Sequence, residues 1–423
     1  MNSSKNSSKD TSAYILSLAD RCVKCGLCLP QCPTYALTAN ENESPRGRIA
    51  LIQGWLSGNL SPSEKLTTHL DQCLLCRRCE RICPSMVPYG EIMDESKSLL
   101  SEKTRQHFSL QHMITDLSLK VLINKNISAY LISSLRLLQS TGILFLARKS
   151  KFLKLLGLQR LVTTLPKLER KFKPEKFYPA INQVRGAVAL FTGCLSNPLD
   201  PETVKASIHI LNILGYDVHI PSQQSCCGAI HLHEGNKSQA IQFAKNNIKT
   251  FNREKNITAV ISLVNGCTSQ LREYSQFNTA ESFTPEVKDI IEFLSEIDWP
   301  KEIEFEAFNK PVALQIPCSL QNCLRAEDKL MTLVQRIPGI KLAPDSIYNR
   351  CCGAAGSYFL RFPEISDQLK TFALTKLEQS GPELIISSNL GCALQLKAGL
   401  NQRNSQINVI HPVLLLEQQL KSP

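Results

Sequence analysis

Two runs of cysteine with the same spacing lie near the start of the chain. The runs are Cys22, Cys25, Cys28 and Cys32, then Cys73, Cys76, Cys79 and Cys83, and each is followed at once by a proline. Thiolates that are separated by two residues each let one tight backbone loop bind three corners of a single cubane. The spacing therefore predicts two [4Fe–4S] clusters.

The fourth cysteine of each run points away from the loop that the first three form. In two-cluster ferredoxins this cysteine ligates the other cluster. We therefore expect two crossed ligand sets, which we call the first and the second cluster site. The first cluster site is Cys22, Cys25, Cys28 and Cys83, and the second is Cys73, Cys76, Cys79 and Cys32.

Zinc and disulfides are the alternative uses of so many cysteines. Zinc takes four ligands in a tetrahedron, usually as two separated pairs, and has no use for four evenly spaced cysteines before a proline. Residues 1–12 are rich in Ser, Asn and Lys and lack the apolar centre of a secretory signal. The 17 cysteines therefore indicate metal ligation in a reducing compartment, and we expect a cytoplasmic protein.

An insert of some forty residues, Tyr35–Gln72, separates the two runs and contains Pro45-Arg46-Gly47-Arg48. Apolar residues recur at helical spacing after Pro45, which predicts a helix there. The flanking glycine and proline favour an exposed turn for Arg46 and Arg48, with contact to an acidic substrate or partner as the alternative.

The formal charge of +11 is unevenly distributed. From Arg148 to Lys176 there are ten Lys or Arg against two acidic residues, which gives a local charge of +8. Leucine and phenylalanine lie among these charges, so the segment predicts a basic amphipathic helix that binds a membrane surface or a partner groove, or else a solvated face between domains. No base-reading motif or aromatic platform accompanies the charge, so we do not expect nucleic-acid binding.

The second half of the chain contains an internal repeat of cysteines, each copy with a Cys-Cys-Gly doublet. The copies are Cys194, Cys226, Cys227 and Cys267, then Cys318, Cys351, Cys352 and Cys392. The first cysteine precedes the doublet by 32 residues in one copy and 33 in the other, and the last follows it by 40 in both. This agreement predicts a duplicated domain.

Each copy is predicted to be an α/β domain. The β-rich runs 187–191, 259–264, 312–316 and 384–387 end just before a cysteine, and helical patterns such as 202–214 and 365–377 intervene. Ligands bind at the carboxyl ends of strands in open α/β sheets, so the four cysteines of each copy are candidate ligands of one further metal or redox centre. Packing of buried thiols is the alternative.

The predicted fold class is therefore α+β and multidomain. A mainly helical, two-cluster ferredoxin-like domain comes first, a basic helical linker follows, and the duplicated α/β cysteine-rich domains come last. The expected boundaries are 13–100, 101–183, 184–305 and 306–423.

With both blocks identified, the chain resembles the iron–sulfur subunits of bacterial glycolate oxidase (glycolate dehydrogenase) over essentially its whole length. Three features carry the likeness: the two cysteine runs, the segment Ser44-Pro45-Arg46-Gly47-Arg48-Ile49 between them, and the doublet segment that begins at Cys351. The doublet module also occurs in heterodisulfide reductase subunits, in anaerobic glycerol-3-phosphate dehydrogenase and in lactate-utilisation proteins. Those remain alternatives.

The chain departs from the fuller family pattern at one place in each repeat. Gln270 and Gln395 stand where the pattern has a fifth cysteine, so each repeat offers four thiols. This puts in doubt the noncubane clusters of five-cysteine relatives, whereas four thiolates suffice for an ordinary cluster.

The resemblance implies an electron-transfer subunit with no catalytic residue of its own. FAD-containing glycolate oxidase subunits would oxidise glycolate to glyoxylate, and the electrons would pass toward a quinone or another acceptor. The chain itself has no G-x-G-x-x-G after a predicted strand, so FAD is expected only on a partner. The basic segment would then place the complex at the inner face of the cytoplasmic membrane.

Overall fold

The computed structural model describes residues 2–104, 125–141, 162, 168, 172–277, 283, 285–342 and 344–421. Most of the predicted linker lies outside these residues, and so does most of the basic segment, whose amphipathic helix stays a prediction. Within the predicted linker the described elements are the end of the helix Tyr89–Thr104, the helix Lys125–Ser140 and the strand Phe177–Tyr178, so its last part is not helical. None of the described helices combines the length and the apolar content needed to cross a lipid bilayer.

The chain divides into two units. The first comprises Met1–Asp116, Gly228–Ile241 and Gly353–Leu369, and the second comprises Leu117–Cys227, Gln242–Cys352 and Lys370–Pro423. The chain thus passes from the second unit to the first directly after each cysteine doublet. A division into contiguous ranges does not describe this exchange, and the boundaries proposed from the sequence remain a prediction.

The first unit is helical within the described residues. Two short helices, Ala229–His233 and Tyr358–Arg361, lie in its later segments. Its helices up to residue 104 are, in chain order, α1 (Asn2–Ala19), α2 (Pro33–Thr38), α3 (Pro45–Leu56), α4 (Glu64–Asp71), α5 (Arg78–Arg81) and α6 (Tyr89–Thr104). Short 3₁₀ turns cover Leu29–Gln31 and Glu41–Glu43. The apolar faces of these helices meet in one core around Ile52, Leu70 and Ile92.

Helix α3 confirms the helix predicted after Pro45. Its N-cap residue Ser44 accepts a hydrogen bond from the backbone N–H of Gly47 (2.9 Å), and Pro45 takes the first helical position. The predicted exposed turn for the two arginines is wrong, because the segment forms the first turn of this helix. Arg48 is 0 % exposed, and Arg46 is half-buried.

Both cysteine loops bend through the left-handed region at the same two places. Lys24 and Leu75, two residues after the first cysteine of each run, have φ of 57° and 48°. Gly26 and Arg77, which follow the second cysteine, have φ of 89° and 55°. Bends of this kind turn successive N–H groups toward one centre, as in the backbone nests of many iron–sulfur sites.

The second unit contains two sheets. The first consists of β1 (Phe177–Tyr178), β2 (Gly186–Phe191), β3 (Tyr216–His219), β4 (Ala259–Ser262) and β5 (Glu286–Asp289) in the order β1-β3-β2-β4-β5. The second consists of β6 (Val312–Gln315), β7 (Ile347–Tyr348), β8 (Leu384–Ser387) and β9 (Asn408–Ile410) in the order β7-β6-β8-β9. All neighbours are parallel except β1 and β3. Without β1 the two orders are the same, which confirms the duplication.

Helices cover the two sheets of the second unit. Those wholly within it and after β2 are Ser196–Leu199, Pro201–Ile213, Asn265–Arg272, Ile290–Glu296, Glu327–Val334, Leu390–Gln402 and Pro412–Gln418. Helix Pro201–Ile213 packs against Pro412–Gln418, and Ile290–Glu296 packs against Glu327–Val334. The helix after β2 thus packs against the helix after β9, and the helix after β5 packs against the helix after β6, so the two repeats pack on each other symmetrically.

The central strands have both faces buried. Val312 and Leu314 of β6 pack in the core shared by the two repeats, whereas Ala313 between them packs on the other face of the sheet. The side chains of a strand alternate between faces, so a strand covered on both faces has a continuous apolar sequence. This is why the four predicted β-rich runs, now β2, β4, β6 and β8, were found within two residues of their observed bounds.

Gly47→Ala is expected to destabilise the first unit by about 3 kcal/mol, because the new Cβ would lie 1.8 Å from the carbonyl oxygen of Glu41. Denaturant unfolding followed by the fluorescence of Trp55, in the same helix, measures the loss. Gly54→Ala is the matched control, since its Cβ would meet only the Leu60 side chain, at 3.0 Å. An equal loss in both variants would contradict the steric explanation.

Candidate functional site

The eight cysteines of the two runs all lie in the first unit, at different depths. Cys32 and Cys79 are buried, Cys25 is exposed, and the other five are half-buried. The two loops also differ in solvent exposure at equivalent positions. Val23, after the first cysteine of its loop, is 69 % exposed, whereas Leu74 at the same place in the second loop is 7 % exposed. The first loop is therefore the surface loop and the second is the covered one.

Thiols of both runs are neighbours in the first unit. Burial raises the pKa of Cys79 well above its usual value, and the neighbouring Cys76, Cys73, Cys32 and Cys28 raise it further. Burial likewise raises the pKa of Cys28, partly offset by backbone hydrogen bonds, and Cys22 and Cys25 add to the rise. Cys79 of the second run thus has Cys28 and Cys32 of the first run as neighbours, and the crossed ligand sets remain a prediction. Cys83 packs half-buried against the core of the first unit, and its ligation remains a prediction.

Arg48 forms a buried polar network near Cys32 and Cys73. Its guanidinium pairs with the carboxylate of Glu43, and both side chains are almost fully buried. It also donates to the carbonyl oxygens of His69 (2.7 Å) and Glu43 (2.5 Å) and to the Thr34 hydroxyl (3.2 Å). Burial works against its charge, but Tyr89, Cys73, Glu43 and Cys32 raise the pKa of Arg48 above its usual value.

Thr34 and Tyr89 link this network to two cysteines. The Thr34 hydroxyl lies 3.1 Å from the Sγ of Cys32, and the Tyr89 hydroxyl lies 3.7 Å from the Sγ of Cys73. The sequence reasoning missed both residues, and nothing in their spacing identifies them. Helical spacing places Arg48 on the same face as Ile52 and Trp55, four and seven residues on, and the structure shows that this face is buried.

Arg46 serves the first loop in a different way. It donates to the carbonyl oxygen of Lys24 (3.2 Å) and pairs with Glu41 (2.6 Å). A Cβ on Gly26 would lie 2.9 Å from the Nη1 of Arg46, so the guanidinium packs directly against the loop. Arg46 thus contacts the first cysteine loop, whereas Arg48 contacts Glu43, His69 and Thr34.

The second unit brings the four cysteines of each repeat together. In the first repeat the sulfur atoms of Cys194 and Cys226 are 3.7 Å apart, and Cys227 interacts with both Cys226 and Cys267. In the second repeat the sulfur atoms of Cys352 and Cys392 are 2.8 Å apart, and Cys318 interacts with Cys351. Cys323, outside the repeated pattern, lies in the π-helical segment Ser319–Leu324 and is half-buried.

Tyrosines and an amide anchor the backbone of the doublets. The Tyr274 hydroxyl donates to the carbonyl oxygen of Cys227 (2.9 Å), and Asn247 donates to that of Cys226 (2.9 Å). In the second repeat the Tyr348 hydroxyl donates to the carbonyl oxygen of Cys351 (3.1 Å). These bonds fix the direction in which the adjacent thiols point.

Comparisons with known proteins agree with this arrangement. A family described as "4Fe-4S dicluster domain" matches residues 18–87, and one described as "Cysteine-rich domain" matches 188–272 and 312–397. The probable glycolate oxidase iron-sulfur subunit of Bacillus subtilis is 31% identical, with 94% of this chain and 93% of the relative covered. The glycolate oxidase iron-sulfur subunit of Escherichia coli is 30% identical, with 96% and 95% covered.

The chain belongs to the glycolate oxidase iron–sulfur subunit family. Lactate utilization protein A of Bacillus pumilus is 26% identical, with 53% of this chain and 96% of that relative covered. The likeness to the glycolate oxidase subunits thus extends over nearly the whole chain.

The donor chemistry of this family member fits iron–sulfur clusters. Soft thiolates select iron–sulfur clusters and zinc, and a backbone N–H, that of Leu75, already donates to the Sγ of Cys73 (3.4 Å). Among the described residues no three Cys, His, Asp or Glu are grouped to hold a single metal ion. A cubane spreads its ligands over four iron atoms, so its thiolates stand further apart than those around one ion.

The cysteines of the two repeats also suit a group that is bound by thiolates. A close thiol partner and burial raise the pKa of Cys194, Cys318 and Cys392 well above the usual value, so a lone thiolate is disfavoured without a cation nearby. Gln270, at the family's fifth-cysteine position, is buried one turn after Cys267, and its Nε2 has no hydrogen-bond partner.

Asp289 and His411 occupy corresponding places in the two repeats of this family member, each as the N-cap after the last strand. Asp289 accepts hydrogen bonds from Asn265 (2.7 Å) and Thr268 (2.8 Å), and so holds the helix that carries Cys267. Burial raises the pKa of Asp289 to about 6, although these hydrogen bonds lower it. Burial lowers the pKa of His411 to about 4, although the charge of Asp200 and a hydrogen bond with the backbone of Ser388 raise it.

The two groups have opposite effects on stability. The contribution of Asp289 is fully present below its ordinary pKa of 3.8 and is lost as the pH rises through about 6. The contribution of His411 is present above its ordinary pKa of 6.5 and is lost as the pH falls through about 4. Each is worth on the order of 2–3 kcal/mol, so they largely cancel between these limits.

Asp289→Asn is expected to leave the acid sensitivity of His411 uncompensated, so that the second unit loses about 2 kcal/mol between pH 6.5 and pH 4 relative to wild type. His411→Gln should show the opposite slope. Denaturant unfolding followed by Trp299, in a Trp55→Phe background, measures both. Equal slopes in the two variants would show that these groups do not set the pH dependence.

Proposed function

We propose that this chain is the electron-transfer subunit of a multi-subunit glycolate dehydrogenase. A partner subunit with FAD takes a hydride from C2 of glycolate and releases glyoxylate, and this chain carries the electrons one at a time toward a quinone or another acceptor. The observation that carries the proposal is that both cysteine runs lie in one unit and the cysteines of each repeat meet in the other, in a chain that matches glycolate oxidase iron–sulfur subunits over 94% of its length.

Two [4Fe–4S] clusters are proposed for the first unit. Cys22, Cys25, Cys28 and Cys83 would hold the first, and Cys73, Cys76, Cys79 and Cys32 the second. When bound, these groups supply one-electron redox chemistry. The protein orients the ligands through the left-handed bends of both loops, while Arg46 braces the first loop and Arg48 braces the surroundings of the second.

The cysteine-rich repeats are proposed to hold a further iron–sulfur centre and to serve either as the docking surface for the FAD subunit or as the outlet toward the acceptor. Their candidate ligands are Cys194, Cys226, Cys227, Cys267, Cys318, Cys351, Cys352 and Cys392. The proposed location is the cytoplasm, with the basic segment at the inner face of the cytoplasmic membrane.

A heterodisulfide-reductase-like activity is the second candidate. It is favoured by one observation, the approach of the buried Cys352 and Cys392 sulfur atoms to 2.8 Å, since adjacent thiols are what thiol–disulfide exchange uses. An iron–sulfur subunit of anaerobic glycerol-3-phosphate dehydrogenase is the remaining alternative, and it differs in the substrate of the partner.

The full chain, purified anaerobically, should be brown and contain at least eight irons, about eight of them in the first unit. Glycolate should bleach its visible absorption only when an FAD-bearing glycolate oxidase subunit is added. Glycerol 3-phosphate is the control substrate and should leave the absorption unchanged. Bleaching by glycerol 3-phosphate with its own flavoprotein, or disulfide turnover by the chain alone, would replace the proposal with the corresponding alternative.

Cys83→Ser is expected to remove the cluster that is built on Cys22, Cys25 and Cys28, because the ligation is crossed. Electron paramagnetic resonance of the reduced chain should lose the signal that Cys25→Ser also removes, and keep the signal that Cys76→Ser removes. Cys323→Ser is the matched control, because it changes a cysteine that belongs to neither cluster site and to neither repeat. Loss of the Cys76-dependent signal instead would disprove the crossed assignment.

A further inference from the structure

The Arg48 charge is held where solvent cannot screen it. The side chain is 1 % exposed and that of Glu43 is 4 % exposed. In such surroundings a charge acts on its neighbours more strongly than at the surface. The Arg46 side chain, by contrast, is 32 % exposed and pairs with a Glu41 that is 47 % exposed, so its effect on the first loop is screened.

The charge is shared between Glu43 on one side and cysteines on the other. Glu43 also contacts the ring of His69 through its second carboxylate oxygen. The electrostatic neighbours of Arg48 include Cys73 and Cys32, which belong to different cysteine runs. These two cysteines come together only in the proposed second cluster site.

Thr34 extends the effect of Arg48 to a sulfur atom. In the thiol form, either Cys32 or Thr34 can donate across their 3.1 Å contact. Once Cys32 has lost its proton to bind iron, only the Thr34 hydroxyl can donate across this contact, in place of its 2.8 Å hydrogen bond to the carbonyl oxygen of Glu43. The N–H of Arg48 that points at the Thr34 oxygen (3.2 Å) favours this direction. The protonated Tyr89 hydroxyl can donate to Cys73 in the same way.

We propose that Arg48 is a positioning residue that raises the reduction potential of the second cluster site above that of the first. This inference rests on the ligand sets given under the proposed function. Reduction adds negative charge, so a fixed positive charge and hydrogen bonds to the ligand sulfurs favour the reduced form. Electrons that reach this chain therefore settle at the second cluster site, next to Arg48.

The test is a redox titration of the full chain, with each cluster followed by its electron paramagnetic resonance signal. Cys25→Ser and Cys76→Ser identify the two signals. Arg48→Gln should lower the reduction equilibrium constant of the Cys76-dependent signal about tenfold, which is about 59 mV for a one-electron couple. The Cys25-dependent signal should not move. Arg48→Lys, which keeps the charge, should restore most of the potential.

Glu43→Gln separates charge from structural damage. It removes the negative partner and leaves Arg48 uncompensated, so it should raise the potential of the same signal, whereas general loosening of the site would shift both variants in one direction. The matched control is Arg46→Gln, which should not move the Cys76-dependent signal. If Arg48→Gln proves too unstable to purify, Glu43→Gln and Arg48→Lys carry the test.

Four results would overturn the inference while leaving the proposed function intact: no shift in Arg48→Gln, equal shifts of both signals, the same shift in Arg48→Gln and Arg48→Lys, or a shift of the same sign in Glu43→Gln and Arg48→Gln. A wild-type chain without two distinguishable cluster signals would refute the proposed function itself, and this inference with it.

Discussion

The buried ion pair between Arg48 and Glu43 is the interaction on which the first unit depends. The guanidinium joins helix α3 to the carbonyl oxygen of His69 in α4 and to Thr34 in α2. These helices carry the chain from the end of one cysteine run to the start of the next. A charge this deeply buried is tolerated only when its partners are all in place, so the pair fixes where the insert ends and where the second loop begins. Iron–sulfur ligation requires that fixed geometry from thiols far apart in the chain.

The second unit brings its cysteines together by a different route. Parallel strands deliver their carboxyl ends to one edge of each sheet, and the first cysteine, the doublet and the last cysteine of a repeat reach that edge from separate connections. Helices of one repeat pack against helices of the other, and this packing buries apolar residues of both repeats in a shared core. The two repeats differ at the N-cap of the helix after the last strand, where Asp289 and His411 place an acid and a base at equivalent buried positions.

The two cysteine loops are alike in backbone and unlike in surroundings. Both bend at the same two positions, yet one presents Val23 to solvent and the other buries Leu74. A difference of cover and of nearby charge is enough to make two chemically identical ligand sets inequivalent. The insert of some forty residues contributes to that difference, because Arg46 contacts the first loop and Arg48 is an electrostatic neighbour of Cys73 in the second.

The sequence by itself located the cysteine runs, the repeated doublets and the central strands. Cysteine spacing follows from ligand geometry over a few residues, and the apolar runs of β2, β4, β6 and β8 follow from burial on both faces, so both are readable locally. Tertiary structure alone decided that Arg48 is buried, that Thr34 and Tyr89 reach the sulfur atoms of Cys32 and Cys73, and that the chain changes units after each doublet. Glycine and proline around Arg48 are as compatible with an exposed turn as with a helix start. Only packing against α2 and α4 distinguishes them, because burial is set by residues distant in the chain.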